Sequence, residues 1–154
     1  DGETIVGVVY NPIADELFFA RKGDGSFFNG ERMRVSKVSD MKQALLSTGF
    51  PYDIATSPQN NINQWTAFLF RAQGLRRDGS AGLNLSYTAA GRFDGFWELK
   101  LSPWDMAAGV LIVTEAGGRV TSLRGEAFDL YRGGIVASNG LIHQEMVSVI
   151  REGL

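Results

Sequence analysis

The sequence has 154 residues, of which 44% are hydrophobic and 21% charged, and its formal net charge is −2. These values are typical of one globular domain with a substantial core, and so weak a charge excludes strong electrostatic attraction to nucleic acid. The absence of cysteine excludes disulfides, thiolate nucleophiles and thiolate metal sites, and we therefore expect a cytoplasmic protein.

Membrane insertion is not expected either. No apolar run approaches the ~20 residues that a membrane-spanning helix needs. The N-terminus, Asp1-Gly2-Glu3, is acidic, whereas a secretory signal begins with a basic region.

Residues 1–34 are predicted to form an antiparallel region that completes an N-terminal sheet. Apolar runs at 4–10 and 17–21 are joined by a turn that contains Asn11-Pro12. A third run at 26–28 leads through the turn dipeptide Asn29-Gly30 to a strand at 32–35. We expect this sheet to keep one unpaired edge.

Residues 35–154 are predicted to form an α/β domain, because strand and helix patterns alternate and helices then cover both faces of a sheet. After a short strand at 45–48, Ser57 and Pro58 predict the cap and first residue of a helix that ends before Gly74. Trp65 and Phe68 share its apolar stripe, so both are predicted core residues.

The second half of the chain contains a helix over 83–90, an alternating strand over 93–101 and short strands at 119–121 and 135–137. Asn139 is placed to cap a last helix over 141–151. His143, the single histidine, is predicted to be a solvated residue near the start of that helix, which leaves no histidine-based catalytic triad.

The central predicted helix runs from Ser102 to its exit at Gly117-Gly118. Asp105 lies in its first turn, where a carboxylate suits the positive end of a helix. The helix is apolar almost all round, so we expect it to lie inside the domain. From the residues alone, the simpler interpretation of Asp105 is a helix-start residue and nothing more.

Three places in this pattern could carry chemistry: Gly79-Ser80-Ala81, Glu98 and Asp105. They are predicted to lie at helix starts and at the end of a strand, where α/β proteins bind anionic ligands. Gly79 allows close backbone approach, and the amides of Ser80 and Ala81 can face a phosphate or a sugar hydroxyl. The plainer alternatives are a tight turn with Ser80 as a cap, and a Glu98 paired with Lys100 or an arginine.

Arg76 and Arg77 are adjacent, so on a strand their side chains point to opposite faces and cannot both hold one phosphate. We interpret them as structural residues in salt bridges with Asp78 or Asp94.

The stretch Trp-Asp-x-Ala-Ala-Gly at 104–109, followed by an apolar run and Glu-Ala-Gly-Gly at 115–118, resembles the C-terminal signature of the inositol monophosphatase family of metal-dependent sugar-phosphate phosphatases. Other stretches follow the order and spacing of that family, and the resemblance covers nearly the whole chain. They are Gly7-Val8-Val9-Tyr10-Asn11-Pro12, Gly23-Asp24-Gly25, Thr48-Gly49-Phe50-Pro51, Arg76-Arg77-Asp78-Gly79-Ser80-Ala81 and Gly91-Arg92-Phe93-Asp94-Gly95-Phe96-Trp97-Glu98.

The resemblance implies the C-terminal part of a layered α-β-α-β-α fold. It assigns Asp105 to metal binding and catalysis with Mg²⁺, and assigns Gly79, Ser80, Ala81 and Glu98 to the substrate. Trp104 would then be a packing residue beside Asp105. An upstream glutamate and an Asp-Pro-Ile-Asp-Gly-Thr-type loop, which hold metal in the family, would precede the first residue of this sequence.

The function that this resemblance implies is Mg²⁺-dependent hydrolysis of a polyol or sugar phosphate monoester, such as inositol 1-phosphate. Fructose 1,6-bisphosphate and a nucleotide 3′-phosphate are alternative substrates, and a non-catalytic binding or association domain is the alternative function. We expect two protein partners, a preceding N-terminal segment of the same protein and a second copy in a dimer, and we expect these 154 residues to be inactive alone.

Overall fold

The computed structural model describes residues 2–154, and the first part of this range forms a four-stranded antiparallel sheet. Its strands are β1 (Val6–Asn11), β2 (Glu16–Arg21), β3 (Gly25–Phe28) and β4 (Glu31–Arg32), in the order β1-β2-β3-β4. Within the described range β1 pairs with β2 alone, so the predicted unpaired edge is present at β1, and the two-residue β4 is the outer strand at the opposite edge.

A second sheet of five strands lies later in the chain. Its strands are β5 (Leu45–Thr48), β6 (Gly74–Arg76), β7 (Gly95–Glu98), β8 (Arg119–Thr121) and β9 (Ile135–Ser138), in the order β6-β5-β7-β9-β8. Strand β5 is parallel to both β6 and β7. The carboxyl ends of these three strands therefore meet at one edge of the sheet.

The helices form two layers. Those of the described chain are α1 (Ile62–Leu69), α2 (Ala81–Ala89), α3 (Pro103–Glu115) and α4 (His143–Glu152). Helices α1 and α4 pack on one face of the five-stranded sheet in a core around Trp97 and Phe68. Helices α2 and α3 lie between the two sheets in a core around Phe18 and Phe96. This layered α/β arrangement confirms the predicted fold class.

Helix α3 lies inside the domain, as its sequence predicted. A methyl group built on Gly7 of β1 would come within 2.8 Å of the Ala108 carbonyl oxygen, and one built on Gly109 within 2.6 Å of Leu85. Both glycines thus allow α3 to approach its neighbours more closely than any other residue would. Trp104 is not the expected packing residue, because 81% of its surface is exposed.

The start of α1 differs from the prediction at Ser57 and Pro58. The helix begins at Ile62, and Asn61 occupies its cap position. Ser57 instead accepts a hydrogen bond from the Lys100 ammonium at 2.7 Å, in the connection between β5 and α1. A Ser-Pro dipeptide that is typical of a helix start therefore takes part in a tertiary contact here, through Ser57. Phe68 is fully buried as predicted, whereas Trp65 is half-buried.

His143 is fully buried, so the expectation of a solvated side chain is wrong. Its Nδ1 lies 2.9 Å from the Ser138 hydroxyl and its Nε2 lies 2.9 Å from the Thr121 hydroxyl. The Thr121 hydroxyl donates to the Ser122 carbonyl, which leaves it to accept from Nε2–H. The ring thus joins β8 to β9 in its neutral form, which helical position alone does not reveal.

Within residues 2–154, no helix combines the length and the apolar character that crossing a membrane requires.

The His143 pKa leads to a prediction about stability. Burial, with a smaller effect of the Arg119 charge, lowers the pKa of His143 from 6.5 to about 4. Between these values the unfolded chain binds a proton that the native chain does not, so native stability falls as the pH drops through this window. For His143→Gln, we expect the destabilisation relative to wild type to shrink by about 2 to 3 kcal/mol between pH 7.5 and 4.5.

Urea denaturation of both proteins at the two pH values measures this difference. Other titrating groups are common to the two proteins and cancel. A destabilisation that stays constant with pH would contradict the assignment of a neutral buried His143.

Candidate functional site

A cleft of about 730 Å³ lies at the sheet edge where β5, β6 and β7 end. It is lined by the starts of α2 and α3, by the connection after β5 and by Val8 and Val9 of β1. The five residues that the sequence singled out all line it: Gly79, Ser80, Ala81, Glu98 and Asp105. The structure thus brings together in one cleft positions that are up to 26 residues apart in the sequence.

The first wall of the cleft is the turn that begins α2. Gly79 has φ +87°, a left-handed conformation that glycine adopts without strain. The Ser80 hydroxyl accepts a hydrogen bond from the Leu83 amide at 3.3 Å. Ser80 is therefore a helix cap, as the plainer interpretation predicted, and the same turn faces the cleft. The two interpretations are compatible.

Asp105 lies in the first turn of α3 and is half-buried. Its Oδ2 atom accepts a hydrogen bond from the Ser102 amide at 2.9 Å, which fixes the direction of the carboxylate. Oδ1 has no hydrogen-bond partner among the described residues, so this oxygen is available to a ligand in the cleft. Asp105 is thus a capping residue that keeps one free acceptor.

Glu98, the last residue of β7, is half-buried in the same cleft. Burial and, secondly, the negative charge of Asp105 raise the pKa of Glu98 from 4.5 to about 7, while the Arg77 charge acts in the opposite direction. No lysine or arginine in residues 2–154 forms a salt bridge with it. The alternative that pairs Glu98 with Lys100 or an arginine is therefore wrong.

Lys100 pairs with residues other than Glu98, and the sequence did not indicate that it shapes the cleft. Its ammonium lies 2.7 Å from Asp53 Oδ2 and 2.7 Å from the Ser57 hydroxyl, both in the connection that follows β5. Its backbone has φ +59°, a left-handed conformation unusual for lysine. Lys100 thus fastens this connection along one side of the cleft. No local sequence pattern indicates such a contact, because its partners lie more than 40 residues away.

The expected salt bridges of Arg76 and Arg77 with Asp78 or Asp94 are absent from the described part of the chain. The buried Asp94 accepts hydrogen bonds from the Ser36 hydroxyl at 2.5 Å and the Leu45 amide at 2.7 Å instead. Arg77 lines the cleft and Arg76 does not, as expected for adjacent residues on opposite faces.

The donors in the cleft fit part of a magnesium site. Mg²⁺ prefers oxygen ligands and is held by one or two carboxylates together with water and phosphate oxygens. Asp105 offers one such carboxylate oxygen, with Glu98 in the same cleft. Residues 2–154 contain no group of three or more carboxylate, histidine or cysteine side chains placed to hold a metal ion. Of the oxygen atoms in the cleft, Oδ1 of Asp105 is therefore the one whose chemistry fits a magnesium ligand.

Comparison with known proteins assigns the chain to a family. The model of the inositol monophosphatase family matches residues 1–153. An inositol-1-monophosphatase of Synechocystis sp. is 45% identical over 141 residues, which cover 92% of this chain and 49% of that protein. The Nus factor SuhB of Escherichia coli is 42% identical over 153 residues, covering 99% of this chain and 57% of SuhB.

The fold gives the same result. The structure of an inositol monophosphatase from Anabaena (Nostoc) sp. matches with a TM-score of 0.96 at 41% identity, over 98% of this chain and 60% of the other. This chain therefore belongs to the inositol monophosphatase family. It spans about half the length of the curated relatives that it matches.

The raised pKa of Glu98 predicts that removal of this carboxylate stabilises the protein. Between pH 4.5 and about 7 the native chain holds a proton that the unfolded chain has released, so native stability falls as the pH rises through this window. We expect Glu98→Gln to be more stable than wild type at pH 8, by up to about 3 kcal/mol, and nearly equal to it at pH 4.5.

Chemical denaturation at both pH values tests this prediction, with the exposed Glu126→Gln as the matched control. Equal free energies of unfolding for Glu98→Gln and wild type at pH 8 would show that the ionised carboxylate does not destabilise the native protein.

Proposed function

We propose that this chain supplies the substrate side and one metal ligand of an enzyme that hydrolyses a phosphate monoester of a polyol or sugar, with inositol 1-phosphate as the first candidate substrate. The observation that carries the proposal is the meeting of Asp105, Glu98 and the Gly79–Ala81 turn in one cleft of a chain that belongs to the inositol monophosphatase family. The similarity to an inositol-1-monophosphatase supports this choice of substrate.

Each group has a distinct role in this proposal. The turn at Gly79, Ser80 and Ala81 presents backbone amides to an oxygen of the substrate, since the first amides of a helix have no partner within the helix. Glu98 accepts hydrogen bonds from substrate hydroxyls, and its burial strengthens such bonds because little water competes. Asp105 would be a metal ligand through the carboxylate oxygen that the Ser102 amide leaves free, while that amide orients Oδ2.

Magnesium would supply activation of a water for attack on phosphorus and neutralisation of charge on the leaving oxygen. Because the described residues offer it one carboxylate from Asp105, we propose that further carboxylates come from a segment of the same protein that precedes this sequence. These 154 residues alone would then not hydrolyse phosphate esters at a useful rate. Association of two copies into a dimer and a cytoplasmic location are further parts of the proposal.

A second candidate function is association with other macromolecules without catalysis. It is favoured by the relative at 42% identity, which is named a Nus factor rather than a phosphatase. The two candidate functions differ in whether the biological role depends on the Asp105 carboxylate, because an association surface does not require a metal ligand.

The metal role of Asp105 is tested in the complete gene product with Asp105→Asn. Asparagine also accepts the Ser102 amide hydrogen bond, so we expect a melting temperature within a few degrees of metal-free wild type. We expect stabilisation by Mg²⁺ and release of phosphate from inositol 1-phosphate both to be lost.

The matched control is Asp129→Asn, an exposed carboxylate outside the cleft. Near-normal hydrolysis by Asp105→Asn in the presence of Mg²⁺ would return Asp105 to a capping role alone.

The substrate role of Glu98 predicts a change in selectivity. In the complete gene product, Glu98→Gln should lower kcat/KM for inositol 1-phosphate by at least about tenfold more than for a small aryl phosphate, which has no sugar hydroxyl to bind. The measurement is steady-state phosphate release from both esters. Equal losses on the two substrates would contradict a contact between Glu98 and a substrate hydroxyl.

A further inference from the structure

A buried hydrogen-bond network lies directly behind the cleft, and Asn61 is at its centre. Only 1% of Asn61 is exposed. Its Nδ2 donates to the Thr48 hydroxyl at 2.8 Å and to the Gly49 carbonyl at 2.7 Å. Its Oδ1 accepts from Trp97 Nε1 at 2.6 Å. Thr48 and Trp97 are both fully buried, so water does not compete for these bonds.

This network joins the ends of two neighbouring strands. Thr48 is the last residue of β5 and pairs in parallel register with Trp97 of β7. The Thr48 hydroxyl also lies within hydrogen-bond distance of the Trp97 carbonyl. Asn61 lies in the connection that follows β5. Its side-chain amide therefore links the ends of β5 and β7 at the point where both strands reach the cleft.

The residues that follow in each strand are Gly49 and Glu98, and they touch. Any side chain at position 49 would overlap the Glu98 carboxylate, which lies directly over the Gly49 α-carbon. The Glu98 carboxylate is thus in contact with Gly49, and the Asn61 side-chain amide donates a hydrogen bond to the Gly49 carbonyl. The position of the Glu98 carboxylate depends on the backbone at Gly49.

The backbone of Asn61 is itself in an uncommon conformation, with φ +72°. Asparagine and glycine adopt this left-handed region most readily. Glycine would keep the backbone but lose the amide, ionised aspartate has no donor, and most other side chains would strain the backbone. Asparagine is the residue that combines this conformation with a donor for Gly49 and an acceptor for Trp97.

We propose that Asn61 is a positioning residue that holds the Glu98 carboxylate against Gly49 in the cleft. Asn61 itself does not line the cleft, so it acts through the ends of β5 and β7. The claim that this positioning matters for substrate binding rests on the proposed function of Glu98. The claim that Asn61 positions the Glu98 carboxylate does not.

Asn61→Gly is the direct test, because it keeps the left-handed backbone and removes the amide. The matched control is Asn60→Gly, which removes a local hydrogen bond to the Ile62 amide in the same connection and leaves the network intact. The readout is the titration of the Glu98 side-chain carboxyl carbon by ¹³C NMR in the 154-residue chain, assigned with Glu98→Gln.

In wild type and Asn60→Gly we expect Glu98 to titrate with a pKa near 7. In Asn61→Gly the carboxylate is freed to move toward water, and we expect its pKa to shift by at least about one unit toward 4.5. A folded Asn61→Gly chain with an unchanged Glu98 pKa would overturn the proposal. If Asn61→Gly does not fold, Thr48→Val removes a hydroxyl of the same network with little change in shape, and the same shift or its absence decides.

The complete gene product separates this proposal from the proposed function. If both hold, Asn61→Gly reproduces the selectivity loss of Glu98→Gln, with inositol 1-phosphate affected more than the aryl phosphate, while Asn60→Gly does not. A shifted Glu98 pKa without any change in hydrolysis would support positioning by Asn61 and contradict the substrate role of Glu98.

Discussion

The close approach of α3 to its neighbours is the constraint on which the rest of the structure depends. Gly7 lets the backbone of β1 lie against Ala108, and Gly109 lets Leu85 of α2 pack against α3. These contacts bring the two sheets together around a layer of two helices. They also place Val8 and Val9 of β1 in the lining of the cleft, with Val9 beside the start of α2, so the packing that forms the core also forms the walls of the site.

The cleft concentrates negative charge where burial makes charge expensive. Glu98 and Asp105 lie in the same cleft, and their mutual repulsion adds to the burial that raises the pKa of Glu98. Neither carboxylate forms a salt bridge with a described residue, so no cation at contact distance balances the two charges. Unfavourable charge that a protein retains in a cleft is a common property of functional sites. A bound cation or a set of substrate hydroxyls would relieve it.

The long connection from β5 to α1 shows how an irregular segment is held in place. At the end of the connection, Asn61 forms hydrogen bonds with Thr48 and Trp97 in the core. In its middle, Asp53 and Ser57 bind the Lys100 ammonium at the surface. The buried contacts contribute more, because exposed ion pairs are screened by water. The start of this connection, at Gly49, lies beside Glu98, and the residues up to Asp53 line the cleft.

The sequence alone determined most of the strand and helix pattern and the interior position of α3, because apolar periodicity and glycine turns are local signals. It also singled out five residues of the cleft, from their places at helix starts and a strand end and from the family resemblance of the Trp-Asp-x-Ala-Ala-Gly stretch. Only the tertiary structure decided the burial of His143, the partner of Lys100 and the role of Asn61. Their partners lie 13 to 47 residues away or in neighbouring strands, and whether a polar side chain meets water or a buried hydroxyl depends on how the strands and helices pack, which no local pattern encodes.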